Sequence, residues 1–171
     1  MLSEKLTTAL SNQVNAEYYS AYLYLCMSAA ADGMGLKGAA NWLFAQAQEE
    51  MAHGTNIYQY ILERGASPSF EAIEKPPVSF ADAKEIFEMV LEHEQKVTKS
   101  INEIATLAMQ EFDHACYQFM MWYVNEQVEE EASATDVLDK LQFIGDDKGM
   151  LLVLDNELST RVFVNPFPVA N

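Results

Sequence analysis

A chain of 171 residues, half of them hydrophobic, is long enough for one domain with a substantial core and short for two. Its 26 acidic against 10 basic residues give a net charge of −16, which repels nucleic acid and anionic membrane and attracts cations. Cys26 and Cys116 stand far apart without CxxC spacing, and MLSEKLTTAL has no basic stretch leading into an apolar run, so a soluble, reduced, cytoplasmic protein without disulfides is expected.

Helix-period patterns dominate the chain. Ser3 is placed to cap a first helix running to about Ala31, and the Gly-rich DGMGLKG turns into a second that ends near Gly65. GASPSFEAIEKPPVS follows, the only Pro-rich stretch before the tail. A third helix is predicted from near Ser79, where Ser79 and Asp82 resemble a capping box, to about Met109. Asp113 caps a fourth that ends at Gly145, and a short fifth lies in MLLVLDNELSTR. VFVNPFPVAN, with two prolines, reads as a non-helical tail. The class is therefore all-α, with one domain over residues 1–163 and a tail over 164–171.

Short turns after the first and third helices make each consecutive pair an antiparallel hairpin. The second helix is about 43 Å long at 1.5 Å per residue, and the roughly 15 residues before Ser79 reach about 50 Å when extended. That linker can travel the whole bundle and let helices two and three run parallel, as in a four-helix bundle with one long crossover.

Each long helix carries a charge where its apolar stripe predicts core. Glu17 shares a stripe with Leu10, Val14, Ala21 and Tyr24; Glu50 is spaced by sevens with Leu36, Leu43 and Ile57. Glu94 falls in line with Phe87, Ile101 and Ala108, and Gln127 and Glu130 continue Cys116, Met120 and Tyr123. Glu17 and Glu50 are 33 residues apart, as are Glu94 and Gln127, and each pair straddles its own turn. In antiparallel hairpins that symmetry puts all of them at one level. Four carboxylates in an apolar interior have to be neutralised by protons or metal. Glu50-x-x-His53 and Gln127-x-x-Glu130 each place two groups on one helix face, and mostly oxygen ligation with one imidazole suits iron or manganese, with zinc also able to bind.

At these positions the sequence resembles a known family, the ferritins, and within it the bacterial non-haem branch. Glu17, Tyr24, Glu49-Glu50-Met51-Ala52-His53, Glu94 and Asn125-Glu126-Gln127-Val128-Glu129-Glu130 fall in the family's order and spacing, and the likeness spans about residues 3 to 163. The resemblance implies that Glu17, Glu50 and His53 bind one iron, and that Glu50 bridges to a second held by Glu94 and Glu130 with Gln127 beside it. It also implies a third iron near Glu49, Glu126, Glu129 and Glu130. The implied activity is oxidation of ferrous iron by dioxygen or hydrogen peroxide, with ferric mineral stored in a hollow homo-oligomeric shell of 24 chains whose four-fold axes are lined by the fifth helix.

Bacterioferritins, rubrerythrins and the radical-generating subunit of ribonucleotide reductase resemble one another in having Glu-x-x-His in both halves. Gln127 and Glu130 in the second half point to ferritin proper and away from haem, so Met51 is expected to pack rather than ligate. Tyr24, seven residues from Glu17 on the same face, is either a redox-active neighbour or an ordinary buried tyrosine. Trp122 reads as packing, and His93 and His114, off the ligand stripe, read as surface residues. The alternatives are a di-iron oxygenase or peroxidase without mineral growth, and a DNA-binding mini-ferritin, against which the acidic balance speaks.

Overall fold

The structure, a computed structural model, describes residues 1–167. Among them lie five helices and no strand: α1 Glu4–Gly33, α2 Lys37–Glu63, α3 Ala83–Gln110, α4 His114–Ile144 and α5 Lys148–Leu158. None of them is long and apolar enough to cross a membrane.

The helix starts follow from local chemistry. The Ser3 hydroxyl accepts from the Leu6 amide at 3.1 Å, and Asp113 accepts from Cys116 at 2.9 Å, each satisfying a first-turn donor that has no partner inside the helix. α3 begins later than expected, because Asp82 and not Ser79 is its cap. Asp82 accepts from the Glu85 amide at 2.9 Å, and the Glu85 carboxylate reaches back to the Ala81 amide. The reciprocal pair is thus Asp82 with Glu85, and Ser79 stays in the linker. α5 starts at Lys148, earlier than expected, since Asp147 accepts from both Gly149 and Met150.

α2 has no side-chain cap of its own. The Ala39 amide in its first turn instead donates to Asp155 of α5 at 2.8 Å, which sets a carboxylate at the positive end of the α2 dipole. The approach is close enough to require glycine: a Cβ on Gly38 would fall 1.6 Å from the Asp155 carbonyl oxygen.

Hydrogen bonds between helices fix their directions. Along α1, Tyr18 meets Thr55 and Ser28 meets Ala40; Gln13 meets Ser100 and Ser20 meets His93. Partner numbers fall in both series, so α1 is antiparallel to α2 and to α3. Hence α2 and α3 are parallel, and the linker between them travels the bundle. It passes α1 and α2, where the Ser69 amide donates to Ser11 at 3.2 Å and the Phe70 ring lies 6.1 Å from Tyr58. This is the expected four-helix bundle with one long crossover and a short fifth helix.

The core has two apolar parts. One holds Leu23, Met27, Leu43, Phe87 and Leu141, with Leu154 and Leu158 of α5; the other holds Leu6, Leu10, Ile57, Ile101 and Met120. Each fully buried leucine or isoleucine contributes roughly 1.5–3 kcal/mol, so these two parts supply the cohesion. Between them each of the four long helices carries buried polar residues: Glu17 and Ser20 on α1, Glu50 and His53 on α2, Glu94 on α3, Gln127 and Glu130 on α4. One polar layer crosses the interior at a single level.

Candidate metal centre

Glu17, Glu50, His53, Glu94, Gln127 and Glu130 are each at most 5% exposed. Helical spacing aims them inward, and the antiparallel hairpins set them level. Glu17, Glu50 and His53 offer ligand atoms that all lie within 4.8 Å of one another, a spread that a single ion can bridge. On the other side of the layer Gln127 Nε2 donates to Glu94 Oε2 at 3.0 Å, and the Tyr24 hydroxyl donates to Glu94 Oε1. Gln46 Nε2 donates to Glu130 Oε2 at 2.6 Å and to Glu50 Oε1 at 3.4 Å.

Burial is the main cause of the electrostatics. It pushes the carboxyls of Glu17, Glu50 and Glu94 above their ordinary range, and Glu130 up to about 8. Neighbouring carboxylates add to this, Glu50 acting on Glu17, and Glu94 acting on both Glu50 and Glu130. Tyr24 is raised well above the usual phenol range by burial and by Glu94. Among the described residues, Glu17 Oε2, Gln46 Oε1 and His53 Nε2 are buried without any hydrogen-bond partner. Each such atom costs about 1–3 kcal/mol. Glu17 Oε2 belongs to the trio that can share an ion, where His53 presents Nδ1 3.5 Å from Glu50 Oε2, and hard oxygen donors with one imidazole suit iron.

A second group lies beside the first. Glu49, His53 and Glu126 also offer atoms within 4.8 Å of one another, the two carboxylates only half-buried. His53 therefore belongs to both. Partial burial raises the Glu126 pKa, with Glu49 and Glu129 adding to the rise and His53 opposing it. Of the residues expected around a third iron, the structure gathers Glu49 and Glu126 with His53. Glu129 is exposed and outside that group, and Glu130 faces the inner layer.

Several side chains stand elsewhere than the sequence reading put them. His93 is no surface residue: Ser20 Oγ lies 2.7 Å from its Nε2, the Tyr19 and Tyr24 rings lie 5.7 and 6.1 Å away, and burial lowers its pKa to about 4. Met51 is half-exposed and does not fill core, while His114 is exposed as expected. Trp122 packs edge-on against His53 at 5.4 Å. Tyr24, fully buried and bonded to Glu94, is a neighbour of the site. Gln13 and Gln46 join the site beyond the residues expected from sequence, and their signal is spacing: each stands four residues before a buried glutamate, Gln13 donating to Glu17 at 3.0 Å and Gln46 to Glu50 at 3.4 Å.

Comparison with known proteins agrees with the fold. The family model of the ferritin-like domain matches residues 7–144. The chain is 40% identical over 163 residues to the bacterial non-heme ferritin of Staphylococcus aureus (strain MRSA252), covering 95% of this chain and 98% of that one. It is 40% identical over 158 residues to a probable bacterial non-heme ferritin-like protein of Haemophilus influenzae, covering 92% and 96%. Among solved structures, an open pore ferritin from the hyperthermophilic archaeon Archaeoglobus fulgidus is similar with a TM-score of 0.93 at 51% identity, covering 95% of this chain and 99% of that one.

Proposed function

This chain belongs to the ferritin family, and on that premise we propose that it oxidises ferrous iron in the buried polar layer and stores the ferric product inside a shell of identical chains. The observation that carries the reading is the trio Glu17, Glu50 and His53, with His53 Nδ1 3.5 Å from Glu50 Oε2 and an unpartnered oxygen on Glu17, set level with Glu94 and Glu130.

In this reading iron is the substrate. Glu17 and His53 hold one ferrous ion, Glu94 and Glu130 a second, and Glu50 bridges them. Gln127 and Tyr24 hold Glu94 in place through their hydrogen bonds. Burial favours the protonated form of these carboxyls, so metal binding displaces protons, and four carboxylates balance two divalent ions. The two ions then give one electron each to dioxygen, which takes up two protons to become hydrogen peroxide; with peroxide as oxidant, the same two electrons and two protons yield two waters. Glu49 and Glu126, with Glu129 farther out, form a step by which ferric iron leaves for the cavity. The proposal includes a cytoplasmic location, a shell of 24 chains with α5 at the four-fold axes, and no haem.

Aerobic ferrous loading followed by size-exclusion chromatography, with iron and protein measured in each fraction, tests it. Iron far in excess of two or three ions per chain is expected to co-elute with a large assembly. Steady turnover of peroxide or an organic substrate with no retained iron would replace storage by the peroxidase or oxygenase reading.

A further inference from the structure

Beyond α5 the chain turns back along α2. Asn41 Nδ2 donates to the carbonyls of Ser159 at 3.2 Å and Arg161 at 2.9 Å. The Arg161 guanidinium lies 4.3 Å from the centre of the Trp42 ring, and its Nη2 donates to Glu49 Oε2 at 2.7 Å. Farther on, the Phe167 ring is 4.5 Å from Trp122 and 6.1 Å from His53. The segment thus follows α2 from Asn41 to His53, about three turns, and ends over the outer group of Glu49, His53 and Glu126.

That group has more than its acidity to mark it as a ligand site, because His53 Nε2 is buried beside it without a partner. Yet one of its two carboxylates is already bonded to a cation that belongs to the chain. The guanidinium fork occupies Glu49 Oε2, so it has to move when an ion arrives. Stacking on Trp42 and the Asn41 clamp on its backbone hold it where it is. A divalent ion among Glu49, His53 and Glu126 meets that guanidinium at a half-buried place, where repulsion is stronger than in open water.

We infer that Arg161 is a built-in competitor for the outer group, pairing with Glu49 until a divalent cation displaces it, and so keeps that group a site of transit rather than of tight retention. The inference rests on reading the outer group as part of the iron path. It makes Arg161 a residue that sets the order of filling: the inner centre first, the outer group last and most weakly.

The test is calorimetric titration of the metal-stripped, assembled protein with Zn(II), a redox-silent probe, with assembly mass checked for every variant. Arg161→Gln is expected to tighten the weakest Zn(II) site by on the order of tenfold while the tighter inner sites stay unchanged. Arg161→Lys, which keeps the charge but loses the planar fork, is expected to fall between. The gain is expected to vanish in Glu49→Ala/Arg161→Gln. An Arg161→Gln isotherm identical to wild type overturns the inference, as does a gain that survives loss of Glu49. So does a gain produced by Phe167→Ala and absent from Arg161→Gln, because cover and not charge would then be the cause. Failure of iron retention in the loading experiment removes the storage reading and leaves the Zn(II) comparison standing, so the two are judged separately.

Discussion

The amide nitrogen of Gln46 on α2 lies 2.6 Å from the carboxylate of Glu130 on α4, and the same nitrogen lies 3.4 Å from Glu50. One donor thereby sets the spacing of two carboxylates from different hairpins. Gln13 plays the corresponding part for Glu17, and is itself held by the Ser100 hydroxyl at 2.5 Å.

Gln46→Leu keeps the bulk and removes the donor. Groups that orient metal ligands typically contribute 10- to 100-fold in affinity or activity, so initial ferrous oxidation is expected to slow by about that factor with the shell intact. Stopped-flow absorbance measures it. A rate within about twofold of wild type would show that the amide positions nothing.

Glu17→Ala combined with His53→Ala removes two members of the trio. Fast ferrous oxidation is expected to disappear, and the fold to survive, because a buried carboxyl and its unpartnered oxygen go together. Oxygen consumption on ferrous addition and a thermal melt settle the two halves of this expectation. Unchanged initial oxidation would sink the ligand assignment.

The raised carboxyls make the metal-free protein sensitive to alkali. A carboxyl that binds its proton more tightly in the folded than in the unfolded state stabilises fully below its ordinary pKa of 4.5, and the stabilisation is lost as pH rises through the folded value, about 8 for Glu130. The Tm of chelator-stripped protein is expected to fall between about pH 5 and pH 8.5, with the decline shared by Glu17, Glu50 and Glu94. Saturating Zn(II) is expected to abolish the decline, since metal takes the place of the protons. A flat Tm for stripped protein across this range contradicts it.

The outer group ranks two neighbouring glutamates. Glu126 shares a site with Glu49 and His53, whereas Glu129 is exposed and reaches the group only through its charge. Either alanine variant should spare metal binding by Glu17, Glu50 and His53 and alter the irons oxidised per dioxygen in the first burst, with the larger change for Glu126→Ala. An oxygen electrode at equal iron loading gives the ratio. Equal effects, or none, would return both residues to a solvated face.

Gly54 stands next to His53 where α1 and α2 approach. A Cβ there would fall 2.8 Å from Tyr18 Cε1 and 3.2 Å from Glu17 Cβ. Helix propensity alone favours alanine by about 1 kcal/mol, but overpacking of this kind costs about 1–3 kcal/mol. Gly54→Ala is therefore expected to lower stability and to weaken the first metal equivalent, because Glu17 has to shift. Chemical denaturation and Zn(II) titration read the two effects, and a stabilised variant with full metal affinity would refute the close approach.

Sequence periodicity alone determined which faces of the four long helices are buried, because the angle of a side chain about its helix axis depends only on its position along the chain. That suffices to turn Glu17, Glu50, Glu94, Gln127 and Glu130 inward, and the matched spacing about each turn puts them at one level. It is silent on neighbours across helices, which depend on how the chain returns. His93 lies off its own helix's ligand stripe, yet α1 covers it with Ser20, Tyr19 and Tyr24. Glu126 meets His53 while Glu129, one turn along, meets solvent, a distinction set by where α2 crosses α4. Asp155 caps a helix more than a hundred residues earlier, and Arg161 seals Glu49, because α5 folds back onto α2. Such contacts join segments with no common period, so only the tertiary structure decides them.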